Sequence, residues 1–234
     1  MAGTSDLDFL RSYQAAFADS IAAVAPDAPV TSCGDWTVRD LVEHLSDVHT
    51  WAARRAGGPR SLLPPSDDLA ARYRAAATIV HQTLARLDPD QTCWTLLDDE
   101  VSAEVPRVGT RRFWHRRQKL ETLVHLWDLR TAGGLDTEAS DAEWLDCLDE
   151  VLQVMHPRQR RLGRVGPPPV RLQLRPDGAA VRELAGAAQD APLVIVGGSA
   201  KQLALLVWGR ADAAGLDREG SVEQVAAALD NVVP

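Results

Sequence analysis

What most limits the fold of this chain is its helical periodicity. In residues 5–25, SDLDFLRSYQAAFADSIAAVA, the side chains of Leu7, Leu10, Ala15, Phe17, Ile21 and Val24 recur at helical spacing, which predicts a first helix. The stretch PDAPVTSCGD interrupts it with prolines and a glycine. A second helix starts at Thr37, with Asp40 three positions on as an acidic capping box and Trp36 and Leu41 placed as a hydrophobic staple. It runs to about Arg55 and stops at GGP. SDDLAARYRAAATIVHQTLARLD predicts a third helix capped by Ser66, and residues 89–110 read as irregular. A fourth helix runs from about Arg111 to Arg130 before AGG, and a fifth from Ser140 to Met155. Four or five helices of similar length are the pattern of a bundle.

The texture changes after Pro157. RQRRLGRVGPPP is a basic, Gly/Pro-rich linker candidate. VRLQLRP alternates like a strand, DG offers a turn, and AAVREL returns as a second strand. APLVIVGG reads as a buried strand, SAKQLALLVWGR as a helix capped by Ser199, and SVEQVAAALDNVV as a closing helix. The expected organisation is α+β: a helical bundle over residues 1–160, then a small α/β domain over residues 161–234.

Charge and composition narrow the function. A net charge of -8 disfavours nucleic-acid binding, which needs a basic surface. No apolar run is long enough for a membrane span, and MAGTSDLDFL lacks the basic and apolar parts of a signal peptide. Cys33, Cys93 and Cys147 are far apart with no CxxC pair, as expected of reduced thiols in the cytoplasm.

Two helices carry residues that could do chemistry. Glu121 and His125 lie four apart, one turn along one helix face. With His44 from the second helix they would make a His/Glu/His set, leaving a position open for water or substrate in the manner of catalytic zinc. Equally, Glu121 could pair with Arg117 one turn earlier, with His125 a packed or surface residue. His44 and His49 differ by about 140° round their helix, so they do not point at one centre. With Leu41, Val48 and Trp51 or Ala52 inward, His44 is the inner histidine and His49 falls on polar ground at the edge. His81 and His115 read as surface or core-edge residues, and His156 as a cation at a helix end. Cys33 beside Asp35 has no evident activation. The cluster Arg111, Arg112, Arg116, Arg117 and Lys119 reads as a solvated helix face that could also draw in an anion.

Three stretches in order, CGDWTVRDLVEHL, ETLVHLWDL and LLVWGR, resemble the hallmarks of the mycothiol-dependent maleylpyruvate isomerase family within the DinB-like metalloenzyme superfamily. The resemblance covers nearly the whole chain and implies a DinB-like four-helix bundle followed by the small C-terminal domain. It implies a divalent metal, usually zinc, on His44, Glu121 and His125, and Arg210 supplied by the C-terminal domain as a catalytic residue. Asp128 would orient His125 or else pair with Arg130, and Arg210 could instead simply meet helix-end carbonyls. The implied cosubstrate is a low-molecular-weight thiol, mycothiol in actinobacteria, and the implied substrate a small, carboxylate-bearing electrophile, either isomerised or joined to the thiol by an S-transferase. A noncatalytic regulatory bundle and a metal-dependent hydrolase using His49 as base stand as alternatives.

Overall fold

Local capping chemistry sets most helix starts. Ser5, Thr37, Ser140, Ser199 and Ser221 each accept from the backbone N–H three residues on, and the side chain there reaches back to the cap. These caps open α1 (Asp6–Ile21), α2 (Val38–Arg55), α5 (Asp141–Glu150), α7 (Ala200–Val207) and α8 (Val222–Leu229). The first helix therefore ends at Ile21, a turn earlier than its periodicity predicts. In α3 (Leu69–Arg86) the cap is Asp68 and not Ser66; the Ser66 hydroxyl instead accepts from the Asp68 N–H. Arg112–Ala132 forms α4, closed at Gly133.

The computed structural model describes residues 5–60, 63, 66–99, 101 and 109–233. The chain divides into two compact units, Met1–Glu138 and Ala139–Pro234. In the first, α1 and α2 each pack on both α3 and α4, giving a four-helix bundle. Its core includes Leu10, Phe17, Leu41, Leu45, Tyr73, Leu84, Trp114 and Leu120, all at most 1% exposed. Each such side chain contributes roughly 1.5–3 kcal/mol by leaving water. Trp114 also donates from Nε1 to the Trp94 carbonyl, so its one polar atom is satisfied. Of the stretch predicted irregular, Leu96–Asp98 makes a 3₁₀ turn and Thr92 bridges Thr110; residue 100 and residues 102–108 lie outside the described residues.

The second unit begins with α5, which packs on α7. The fifth predicted helix thus belongs here and not to the bundle. It does not stop at Met155. Val151–Met155 widens into a π-turn, with the His156 N–H reaching the Val151 carbonyl, and α6 (His156–Arg161) follows. Proline lacks an N–H and its ring collides with the carbonyl four residues back, so a wider turn lets the helical path pass Pro157. The first residues of the expected linker are therefore helical. His156 is 1% exposed, neither ring nitrogen has a hydrogen-bond partner among the described residues, and burial lowers its pKa. It is a buried neutral residue, not a cation at a helix end.

Strands β1 (Arg171–Pro176), β2 (Arg182–Glu183), β3 (Leu193–Gly198) and β4 (Asp217–Glu219) form one sheet in the order β2-β1-β3-β4. The central pair is parallel, Leu172 opposite Val194 and Leu174 opposite Val196, and both edges are antiparallel. β4 carries no alternation that the sequence could announce. The fold class is mixed α+β with a helical N-terminal part, as expected. No helix among the described residues is long and apolar enough to cross a membrane.

Candidate metal centre

The buried stripe of α2 is Val38, Leu41, Val42, Leu45, Ser46, His49, Ala52 and Ala53. His49 continues this stripe at the spacing Leu41–Leu45–His49–Ala52–Ala53, so it is the inner histidine, fully buried. The expectation of a polar edge for His49 is corrected: Val48, taken as inward, lies one position off the stripe. The His49 Nδ1–H donates to Gln118 Oε1 (2.7 Å), while Nε2 faces the Tyr73 hydroxyl and the Gln14 amide (3.4 Å each). Two donors at Nε2 fix the neutral tautomer, and burial lowers the pKa to about 4. His49 is part of the packed bundle interior, with no free nitrogen to serve as a base.

His44, on the adjoining face of α2, is 36% exposed at its side chain and meets α4. Its Nε2 lies 3.7 Å from Glu121 Oε1, and His125 Nε2 lies 3.4 Å from the same oxygen. The two imidazole rings are 5.2 Å apart and nearly perpendicular. One ligand atom from each of the three residues falls within 4.8 Å of the other two. Two ligand atoms each about 2.1 Å from a tetrahedral zinc ion stand roughly 3.4 Å apart. The donors thus already lie near coordination spacing, and the residues fit a divalent ion.

The surroundings of each donor agree with that use. Arg117 pairs with Glu121 Oε2, leaving Oε1 turned to the histidines. The pairing with Arg117 expected as one alternative for Glu121 is present on Oε2, and Oε1 faces the two histidines. Burial pushes the Glu121 carboxyl up, but the Arg117 charge and the hydrogen bonds to His125 and His44 overcome it and hold it well below the carboxylate range. His125 gives its Nδ1–H to Asp128 Oδ2 (2.9 Å), which frees Nε2 for the Glu121 side. Burial resists charging of His125, yet Asp128, Cys33 and Glu121 together raise its pKa well above the ordinary value.

Sequence reading placed Cys33 apart from the chemistry. It lies beside the centre, its Sγ donating to Asp128 Oδ2 (3.6 Å), and Ser32 Oγ donates to Asp128 Oδ1 (2.6 Å). Cys33, His125 and Asp128 also form a possible ligand group. The His44 set fits an ion better, because Asp128 is already committed to donors on both oxygens and its side chain is wholly buried. His44 supplies the opening to solvent.

The basic cluster is largely not a solvated face. Arg111, Arg117 and Lys119 are 5–8% exposed. Arg111 donates to the carbonyls of Ala56 and Asp88, and Lys119 meets Asp6 at 2.7 Å. Arg112 is exposed and pairs with Asp90. His81 accepts from Arg11 at the surface of the bundle. A cavity of about 480 Å³ between α1 and α3, lined by Arg11, Gln14, Arg74 and His81, contains none of the three donors.

In the second unit, Gly209 (φ 70°) ends α7, and the Arg210 N–H closes on the Leu205 carbonyl. Arg210 Nη1 donates to the Trp208 carbonyl at 2.9 Å. The helix-end contact expected as its alternative role is present.

Comparison with known proteins follows the same residues. The family model for the mycothiol maleylpyruvate isomerase N-terminal domain matches residues 10–130, which hold His44, Glu121 and His125. Two uncharacterized proteins of Mycobacterium tuberculosis, MT0763 of one strain and Rv0738 of another, are each 30% identical over 155 residues, covering 64% of this chain and 80% of the relative. Two crystal structures of mycothiol-dependent maleylpyruvate isomerase, one of a point mutant, superpose with TM-scores of 0.67 and 0.63. They are 13% and 14% identical, over 92% of this chain and 91% of theirs, which is a likeness of fold.

Proposed function

Because the chain belongs to the mycothiol maleylpyruvate isomerase N-terminal domain family, we propose that it is a metal-dependent enzyme using a low-molecular-weight thiol, mycothiol, on a small electrophile. The observation that carries this reading is the convergence of His44, Glu121 and His125 at coordination spacing, with His125 fixed by Asp128. A divalent ion there, zinc by the chemistry of the donors, would supply the charge that keeps a thiol ionised near neutral pH.

The residues of the chain do the rest. Glu121 presents one oxygen and gives the other to Arg117, and Asp128 holds the His125 tautomer. The exposed edge of His44 marks the side from which the thiol arrives. On the resemblance, Arg210 binds the substrate carboxylate and the charge that develops beside it. The thiolate adds to an electron-poor carbon of a double bond conjugated to a carbonyl, and the electron pair moves to the carbonyl oxygen. Rotation about the new single bond, return of the pair and loss of the thiolate give the isomer with no net change in atoms. Protonation of the enolate carbon before that loss gives an S-transferase instead. The hydrolase alternative loses its base, since His49 lies in the core. A cytoplasmic place suits this chemistry, and no disulfide joins the three cysteines.

The test is metal analysis of protein purified without chelator, then incubation with mycothiol and electrophiles, maleylpyruvate among them, followed by chromatography with mass detection. The expected result is one ion per chain and an isomer or adduct lost in Glu121→Ala. A metal-free wild type, or equal product from Glu121→Ala, would sink the proposal.

A further inference from the structure

One short loop touches both histidines of the centre. The chain between α1 and α2 folds back on itself: Val30 N–H meets the Trp36 carbonyl (2.8 Å), Val38 N–H the Ala28 carbonyl (2.9 Å), and Pro29 bridges Thr37. At its tip Thr31–Cys33 makes a 3₁₀ turn, closed by the Cys33 N–H on the Val30 carbonyl (2.8 Å). Gly34 follows at φ 65°, a left-handed conformation that a side chain would resist. The turn packs on α4.

From this turn Ser32 Oγ reaches Asp128 Oδ1 at 2.6 Å, and Cys33 Sγ reaches Oδ2 at 3.6 Å. Oδ2 is the oxygen that accepts from His125 Nδ1 at 2.9 Å. From the other side of the loop, the Trp36 ring lies 4.8 Å from the His44 ring, centroid to centroid. The terminal torsion of an aspartate is soft, so its carboxylate plane is set by its partners. Ser32 holds the oxygen that His125 does not use, and thereby the plane in which Oδ2 is offered to the imidazole.

We propose that Ser32 is a positioning residue of the metal centre, acting through Asp128 to aim His125 Nε2, and that the loop over residues 28–37 presets both histidines before an ion arrives. This rests on the metal reading given under the proposed function. It assigns to the loop a purpose beyond starting α2: Ser32 sets one ligand through a buried carboxylate, and Trp36 limits the ring orientations open to the other.

The test is zinc affinity by competition with a chromophoric chelator, with the cobalt-substituted spectrum as a second readout. Groups that orient a ligand histidine alter metal affinity by about 10–100-fold. Ser32→Ala should weaken zinc binding about ten-fold and change the cobalt bands, with far-UV circular dichroism of the metal-free protein unchanged. Ser32→Thr, which keeps the hydroxyl, should restore affinity. In an Asp128→Ala background, Ser32→Ala should cost nothing further, because residues acting in series are not additive. Equal zinc affinity in Ser32→Ala and wild type, or a full ten-fold loss added on top of Asp128→Ala, overturns the inference while leaving the metal reading intact. If Ser32→Ala alters the apo fold, the Ser32→Thr variant decides: loss of affinity with a native dichroism spectrum counts against the hydroxyl's role. A wild type that takes up no zinc overturns the metal reading and this inference with it.

Discussion

His125 Nδ1 lies 2.9 Å from Asp128 Oδ2, both residues on α4 and both buried. A carboxylate only accepts, so a proton sits on Nδ1, and once the ring gives up its second proton, as a metal ligand must, the lone pair is on Nε2. Asp128→Asn replaces an ionised acceptor with a neutral amide that can turn its NH₂ toward the ring. Zinc affinity should fall about 10–100-fold, read by chelator competition, with the helix content unchanged. An Asp128→Asn protein that binds zinc as well as wild type would remove Asp128 from the centre.

Arg117 and Glu121 give a second expectation. Their side chains are 10% and 8% exposed, so Arg117→Ala leaves a buried carboxylate without its guanidinium. Breaking such a pair costs about 3 kcal/mol or more. A bound cation would replace part of the lost charge. The drop in thermal stability of Arg117→Ala should therefore be larger in metal-free protein than in zinc-loaded protein, as scanning calorimetry on both forms would show. Equal drops would mean that Glu121 faces no ion.

How much of this was legible in the sequence depends on how far apart the interacting residues lie. The cap at Thr37 needs only Asp40, and Ser5, Ser140, Ser199 and Ser221 are equally local, so helix starts could be read directly. Ser66 failed because Asp68, two residues on, caps as well and fits the first turn. The one-turn spacing of Glu121 and His125 is visible in the sequence, and His44 joins them there on helical periodicity, with the family resemblance pointing to the same residue. Periodicity put the wrong histidine inward, since one position decides between Val48 and His49. Nothing local connects Ser32 to Asp128, which is 96 positions away, and only the folded loop brings them together. The passage of a helix beyond Pro157 depends on a π-turn, which no residue type announces.

The role of Arg210 rests on resemblance more than on geometry. Its guanidinium donates to the Trp208 carbonyl, a contact that stabilises a helix end with or without catalysis. Arg210→Lys and Arg210→Ala separate the roles. A carboxylate-binding arginine predicts a rise in KM or a fall in kcat of ten-fold or more in steady-state assays, with zinc content unchanged. If the variants only melt earlier, with kcat/KM preserved at lower temperature, the residue is a helix terminus and no more.

His49 predicts how the bundle responds to acid. In the folded protein its pKa is lowered to about 4 from the ordinary 6.5, chiefly by burial. Between those values the unfolded chain binds a proton that the folded chain does not, so stability rises with pH across this window. It is complete above about 6.5 and is lost as pH falls toward 4. The difference corresponds to on the order of 3 kcal/mol. His49→Gln keeps a polar group beside Gln118, Tyr73 and Gln14 but cannot titrate. Urea unfolding at steps from pH 7 to pH 4 should show a shallower decline for His49→Gln than for wild type. Parallel declines would mean that His49 is reached by solvent protons in the native state, against its complete burial between α2, α3 and α4.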